Sequence, residues 1–298
     1  MILVTGAGGK TGRTLVKRLS KVESVCVFVH REEHVSVAKS LGAHKVMVGD
    51  MHEESAIRSA MQGVRSIYHI CPNMNPDEAG IGKLAIDEAR KAGVEHFVYH
   101  SVLHPQTQKM NHHWQKSRVE EMIFESGLPY TILQPAPYMQ NLLAGWKSIV
   151  EDGVLRVPYS TNSKFSFVDL DDVAEVASIV LTQPNHVNAT YELVGTLPLS
   201  HVEVAEILSR VLKRDVRAEK EEIRDWRLRT ERSSEGAQSK RALWMSDYAF
   251  ENLVRMFKYY NQWGLVGNPN VLRWLLQRKP ISLESFIERL VKKRDVVE

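Results

Sequence analysis

Short apolar runs alternate with amphipathic stretches of helical period through the first 135 residues, the signature of βαβ units and a parallel sheet. The apolar runs predict strands at residues 2–5, 24–29, 45–48, 66–70, 96–100 and 130–134. The helical spacing predicts helices near 10–19, 34–41, 53–61, 80–92 and 112–126. Gly42, Gly63, Gly93 and Gly127 each stand just past one of these helices, where a left-handed C-cap suits glycine. Beyond Pro135 the texture changes. Asp152-Gly153 and Val157-Pro158 read as turns, 165–168 and 191–194 as strands, and 170–181 as a helix. Ser200 with Glu203 three residues on forms a capping box for a helix over 200–212. From Ile223 the chain reads as helical and aromatic-rich, ending in a helix over 282–293, and the polar stretch 227–240 reads as a loop.

The first loop carries the sharpest chemistry. Gly6-Ala7-Gly8-Gly9-Lys10-Thr11-Gly12 lies between the first strand and the helix bearing Leu15, Val16 and Leu19, so Gly6, Gly9 and Gly12 satisfy G-x-x-G-x-x-G. Such a turn needs glycine to bend sharply, to admit a pyrophosphate against the backbone, and to pack helix on strand. Free N–H groups at the helix start then meet the phosphate charge. The fold class is therefore α/β, a doubly wound parallel Rossmann sheet with a smaller, mostly helical C-terminal substrate or cap region. Its domains read as 1–155, joined by 165–183 and 190–195, and 156–298.

The end of the second strand selects the cofactor. Asp or Glu there accepts hydrogen bonds from an adenosine ribose, but this chain has Val29-His30-Arg31. A guanidinium pairs bidentately with a 2′-phosphate, and Lys10 offers a second cation. NADP(H) is thus expected over NAD(H). The competing reading of Arg31 is a surface arginine paired with Glu32 or Glu33. After the third strand, Asp50 and Met51 either hold an adenine, or Asp50 caps the next helix. Cys71 and Pro72 close the fourth strand, at the strand end where ligands sit in open sheets; Cys71 reads equally as a small buried residue.

Composition changes this picture little. Hydrophobic residues make up 43% and charged residues 25% of the 298, as in ordinary globular chains. Thirty-nine Lys and Arg against 36 Asp and Glu leave a net charge of +3, with no basic recognition helix, so no nucleic-acid partner is expected. The Lys292-Lys293-Arg294 run complements a helix dipole. Cys26 and Cys71, the only cysteines, suit a reducing cytosol and give no metal spacing. With no signal sequence and no apolar run near the roughly 18 residues of a membrane span, a cytoplasmic location is expected. The sequence leaves a homodimer open.

Thr5-Gly-Ala-Gly-Gly-Lys-Thr-Gly12, Val48-Gly-Asp50, 91–99 (KAGVEHFVY), 126–135 (SGLPYTILQP) and 165–174 (FSFVDLDDVA) together resemble the NmrA-like atypical short-chain dehydrogenases/reductases. The resemblance covers roughly residues 1–215. It implies NAD(P)H binding, with Pro135 close to the cofactor, and a group that holds both quinone and other NADPH-dependent reductases and members that sense the dinucleotide without turnover. One departure stands out. Ordinary short-chain dehydrogenases use Tyr-x-x-x-Lys, and none of the nine tyrosines here has a lysine four residues on. Lys116 resembles the retained lysine, which holds the nicotinamide ribose. His112, one helical turn before it, is the candidate proton donor, against the plainer reading of His112 and His113 as helix-start residues lining nothing. Ser101 matches the serine that bonds substrate in short-chain dehydrogenases, or it closes a local turn. His100, His104, Tyr138 and Trp146, with Trp114 and Met139, are candidate substrate contacts or plain core. The late aromatics Trp226, Trp244, Tyr248, Phe250, Phe257, Tyr259, Tyr260 and Trp263 read as helical core, a cap or an interface.

The expected function is an NADPH-dependent reductase passing hydride to a small aromatic or conjugated acceptor: a quinone, enone, imine or carbonyl. The alternative is a non-catalytic NADP(H) sensor acting through a protein partner.

Overall fold

Val, Ile and Phe crowd the predicted strands, and burial on both faces is what such continuous apolar runs require. In the computed structural model, which describes residues 1–233 and 246–295, β1 (Ile2–Val4), β2 (Val25–Val29), β4 (Ser66–His69) and β5 (His96–His100) are wholly buried. They join β3 (Lys45–Val48), β6 (Tyr130–Pro135) and β8 (Ala189–Leu193) in one seven-stranded sheet of order β3-β2-β1-β4-β5-β6-β8. Every pairing is parallel. The chain winds outward one way to β3 and the other way to β8, so its order reverses between β1 and β4. In open α/β sheets that switch point is where ligands bind.

Helices α1 (Lys10–Leu19), α2 (Val35–Ser40), α3 (Glu54–Ala60), α4 (Glu78–Lys91) and α5 (Asn111–Glu125) follow the first five strands in turn. Leu3, Cys26, Phe28, Ile67, Phe97 and Tyr99 join Ile57 of α3, Ile86 of α4 and Val119 and Ile123 of α5 in one core. The alternate strand residues face the other side, where α1 packs beside α7 (Leu170–Thr182) and Arg18 reaches Glu175 at 2.7 Å. Gly42, Gly63, Gly93 and Gly127 all take positive φ at the helix ends.

Two compact units result, 1–108 with 112–135 and 170–193, and 109–111 with 136–169 and 194–298. Residues 136–155, expected in the dinucleotide domain, belong to the second unit, because the chain leaves the sheet at Pro135 and returns only with α7. The second unit holds α6 (Trp146–Glu151), a two-stranded parallel sheet of β7 (Val154–Val157) and β9 (Arg217–Lys220), and α8 (His201–Leu212). It also holds α9 (Ile223–Ser233), α10 (Asp247–Trp263), α11 (Asn270–Leu276) and α12 (Leu283–Asp295). The capping box forms, with the Glu203 N–H donating to Ser200 Oγ at 3.2 Å and Ser200 N–H donating to Glu203 Oε2 at 2.6 Å. Residues 165–168 are extended but build no regular strand; Phe165 bridges Leu199 and Leu265, and Val168 bridges Tyr138. Tyr159, Phe165, His201, Phe257 and Tyr260 interlock with ring centroids 5.1–5.9 Å apart, so Phe257 and Tyr260 serve core packing. Trp244 and residues 234–240 of the expected loop lie outside the described residues.

The core of the first unit also encloses histidines. Burial is the largest cause holding His69 and His96 down at about 4, and His100, His112 and His113 at about 3. An unfolded imidazole takes its proton near pH 6.5, so between that value and the folded ones the unfolded chain binds more protons. Stability is therefore complete above about pH 6.5 and falls as the medium acidifies toward 4. Urea unfolding at about pH 7.5 and 5.5 should give a clearly lower midpoint at the acidic value; equal midpoints would refute it.

Gly12 sets how closely α1 meets β1. A Cβ there would stand 2.6 Å from Ala7 Cα and 2.6 Å from the Gly6 carbonyl oxygen, both backbone atoms. Gly12→Ala should lose about 1–3 kcal/mol, read from the same urea curves, as overpacked sites do. A variant as stable as the parent would show that α1 has room to move.

Candidate functional site

The end of β1 is tied to the end of β4 before the glycine turn begins. Thr5 Oγ1 donates to the Ile70 carbonyl at 3.1 Å and accepts from the Ile70 N–H at 2.8 Å. Gly6 follows at φ 61°, with Ile70 O only 2.9 Å from where its Cβ would be. No side chain caps α1, whose N-cap is Gly9, and no acidic residue sits in its first turn. Its N-terminal N–H groups are left for an anion, as a phosphate site requires.

Cations gather beside this helix end. Lys10 is exposed and Arg13 half-buried; Arg13 Nε is buried with no hydrogen-bond partner among the described residues. A Cβ on Gly8 would stand 2.5 Å from His34 Nδ1, so the His34 ring lies on the turn. Burial and then the Arg13 charge hold His34 below its ordinary value. Arg13 and His34 were not singled out from the sequence. The available signal was the place of Arg13, directly after the third glycine of the turn. Arg31 Nη1 contacts Glu33 Oε1 at 3.3 Å, the surface pairing that the sequence reading had left open, and His30 is exposed. An uncapped helix, a glycine cradle and an orphaned buried guanidinium nitrogen fit a phosphorylated dinucleotide.

At the end of β3, Asp50 Oδ1 accepts from the His52 N–H at 2.9 Å, and this bond leads the causes that lower its carboxyl. Asp50 therefore closes a local turn and does not cap α3, whose N-cap is Glu53. Met51 is packed in the core cluster, as is Cys71. Burial, reinforced by Glu78, pushes the Cys71 thiol well up, and it packs as a small buried residue. Pro72 is half-buried beside it, and Pro135, buried at the end of β6, accepts from the Leu103 N–H at 2.9 Å.

Lys116 enters the carboxyl end of β5 from α5. Its Nζ donates to Glu78 Oε1 at 2.8 Å and to the His100 carbonyl at 3.2 Å. Glu78 is 1% exposed, and the Tyr99 hydroxyl donates to the same Oε1 at 2.9 Å. Glu78 thus gives the buried ammonium its counter-charge, and sequence reasoning missed it. Deleting one partner of such a pair costs about 3–5 kcal/mol, because the other charge is left stranded. On the opposite face of β5, His100 Nδ1 lies 2.7 Å from the Tyr68 hydroxyl. Ser101 Oγ donates to Glu120, which also accepts from Gln134 Nε2 at 2.9 and 3.0 Å. The Ser101 hydroxyl is engaged inside the protein.

His112 is buried, and burial and the Lys116 charge hold it at about 3. The ring is therefore neutral at neutral pH. The half-buried His104 has positive φ and places Nε2 3.9 Å from Glu192. Of the remaining candidate substrate residues, Tyr138 and the buried Trp146 belong to the second unit. That unit carries a groove of about 700 Å³ lined by residues including Arg156, Glu221, Asp225, Leu228 and Arg229. Its walls are mostly charged and lie away from the glycine turn in sequence. Among the described residues no cluster of metal-ligating side chains occurs, and no helix is long and apolar enough to cross a membrane.

The chain and its fold have counterparts among known proteins. An NAD(P)H azoreductase of Xenophilus azovorans is 33% identical over 221 residues, covering 73% of this chain and 76% of that one. Quinone oxidoreductase 2 of Escherichia coli is 28% identical over 212 residues, covering 70% and 74%. The crystal structure of the Escherichia coli enzyme with NADPH superposes with a TM-score of 0.82 at 23% identity, over 98% of this chain and 100% of that one. The Citrobacter sp. triphenylmethane reductase complexed with NADP(H) follows at a TM-score of 0.81 and 21% identity, over 97% and 99%. The sequence profile of the NmrA-like family matches residues 1–287, and the chain belongs to that family.

Proposed function

We propose that the protein is an NADPH-dependent reductase of small aromatic or conjugated acceptors. The observation that carries this reading is the uncapped N-terminus of α1, opening from a glycine turn at the switch point of the sheet beside Arg13. The names of its relatives, an azoreductase, a quinone oxidoreductase and a triphenylmethane reductase, support acceptors of this class. The N–H groups of α1 hold the pyrophosphate. Arg13, Arg31 and Lys10 surround a 2′-phosphate, which favours NADP(H) over NAD(H), and Lys116 holds the nicotinamide ribose. When bound, the dihydronicotinamide supplies a hydride, and the reduced acceptor takes up a proton to complete the two-electron reduction.

NADPH consumption, followed optically against quinones, azo compounds, enones and imines, tests the reading. Turnover on at least one acceptor, reduced by roughly a hundredfold in Lys116→Met, is expected when a positioning cation is removed. Tight NADPH binding without turnover on any of them would instead favour a dinucleotide sensor.

Cofactor preference has its own test. Arg13→Ala and Arg31→Ala should each weaken NADPH roughly tenfold, as loss of a charged hydrogen bond does, while NADH changes little. Equal losses for the two dinucleotides in a titration would remove the 2′-phosphate assignment.

A further inference from the structure

Burying an ammonium demands a partner, and the surroundings of Lys116 narrow that partner to one group. The groups facing it are Glu78 from α4, His69 and Cys71 at the end of β4, and Tyr99 and His100 from β5. On its own helix lie His112, His113 and Glu120. Burial keeps the histidines neutral, and it keeps Cys71 and Tyr99 protonated. Glu120 turns its oxygens to Ser101 and Gln134. Glu78 is the carboxylate that accepts a hydrogen bond from Lys116, at 2.8 Å and fully enclosed.

The geometry is as telling as the charge. Of the three Lys116 N–H donors, one goes to Glu78 Oε1 and one to the His100 carbonyl at 3.2 Å. These two bonds fix the ammonium at the carboxyl end of β5, and the Tyr99 hydroxyl, donating to the same Oε1 at 2.9 Å, holds the carboxylate in place. Among the described residues these are the two hydrogen bonds of the Lys116 ammonium.

We infer that Glu78 is a positioning residue for Lys116, orienting its ammonium so that one N–H can bind the ribose of the dinucleotide. The inference rests on the dinucleotide-binding part of the proposed function. In this role Glu78 acts through Lys116.

A double-mutant cycle separates this role from plain structural support. NADPH dissociation constants would be measured by calorimetry for the wild type, Glu78→Gln, Glu78→Asp, Lys116→Met and the double variant Glu78→Gln/Lys116→Met. Glu78→Gln should weaken NADPH roughly tenfold, as loss of a charged hydrogen bond to the ammonium does. Glu78→Asp, which keeps the carboxylate, should recover most of that loss. In the Lys116→Met background, Glu78→Gln should change affinity by less than about twofold. If Glu78→Gln fails to fold, the double variant carries the test, because it leaves no lone charge buried. Additive losses, or a Glu78→Gln affinity that matches the wild type, would overturn the role of Glu78 alone. A wild-type protein that binds no NADPH would overturn the dinucleotide reading as well.

Discussion

The close approach of α1 to the end of β1 is the contact on which the rest of the site depends. Gly12 has backbone on two sides at distances that no side chain tolerates, and this brings the first turn of α1 directly over the switch point of the sheet. Thr5 fixes the same strand end to Ile70 of the neighbouring strand. The helix dipole is therefore aimed from a rigid base, and Arg13, one residue past the glycine, is carried to the place where a phosphate would be met. Had α1 stood a side chain further out, neither its N–H groups nor that guanidinium would converge on one point.

The second organising fact is the amount of polar chemistry inside the first unit. Glu78, Glu120, Lys116 and five histidines are buried within or beside the sheet. Glu78 Oε1 accepts from Lys116 and Tyr99 while its Oε2 has no partner among the described residues, and Glu120 accepts from Ser101 and Gln134. The histidines meet the same enclosure by remaining neutral. Such a network fixes side-chain positions more tightly than an apolar core of equal volume, at some cost in stability. Placing it at the carboxyl ends of β4 and β5 puts the rigidity where a ligand would lie.

Much of this architecture was legible in the chain. Apolar runs of four to six residues separated by helical periods and glycine stops located all seven strands of the main sheet. β9 was not legible, because Arg217-Ala-Glu-Lys220 carries no apolar alternation; it pairs with β7 through its backbone and an Arg156–Glu219 ion pair. The run at 165–168 has strand-like residues, yet its backbone finds single bridges in place of a ladder. Lys116 was singled out only by its likeness to a family lysine, and Glu78 not at all: its partner is 38 residues away, and a carboxylate at a helix start looks like a solvated one until the fold closes over it. At His112 the enclosure that holds the ring neutral is likewise something no spacing reveals.

One consequence follows from the order in which the strands enter the sheet. β8 is the last strand to join, and it does so only after the excursion through 136–169 and the passage of α7. A nascent chain growing at about 5–20 residues per second therefore holds β6 as an open edge, and the face later covered by α7 as bare apolar surface, for several seconds. Until residue 193 has cleared the ribosome the sheet is unfinished. Shielding of that edge during synthesis is thus part of what this topology asks of the cell that makes it.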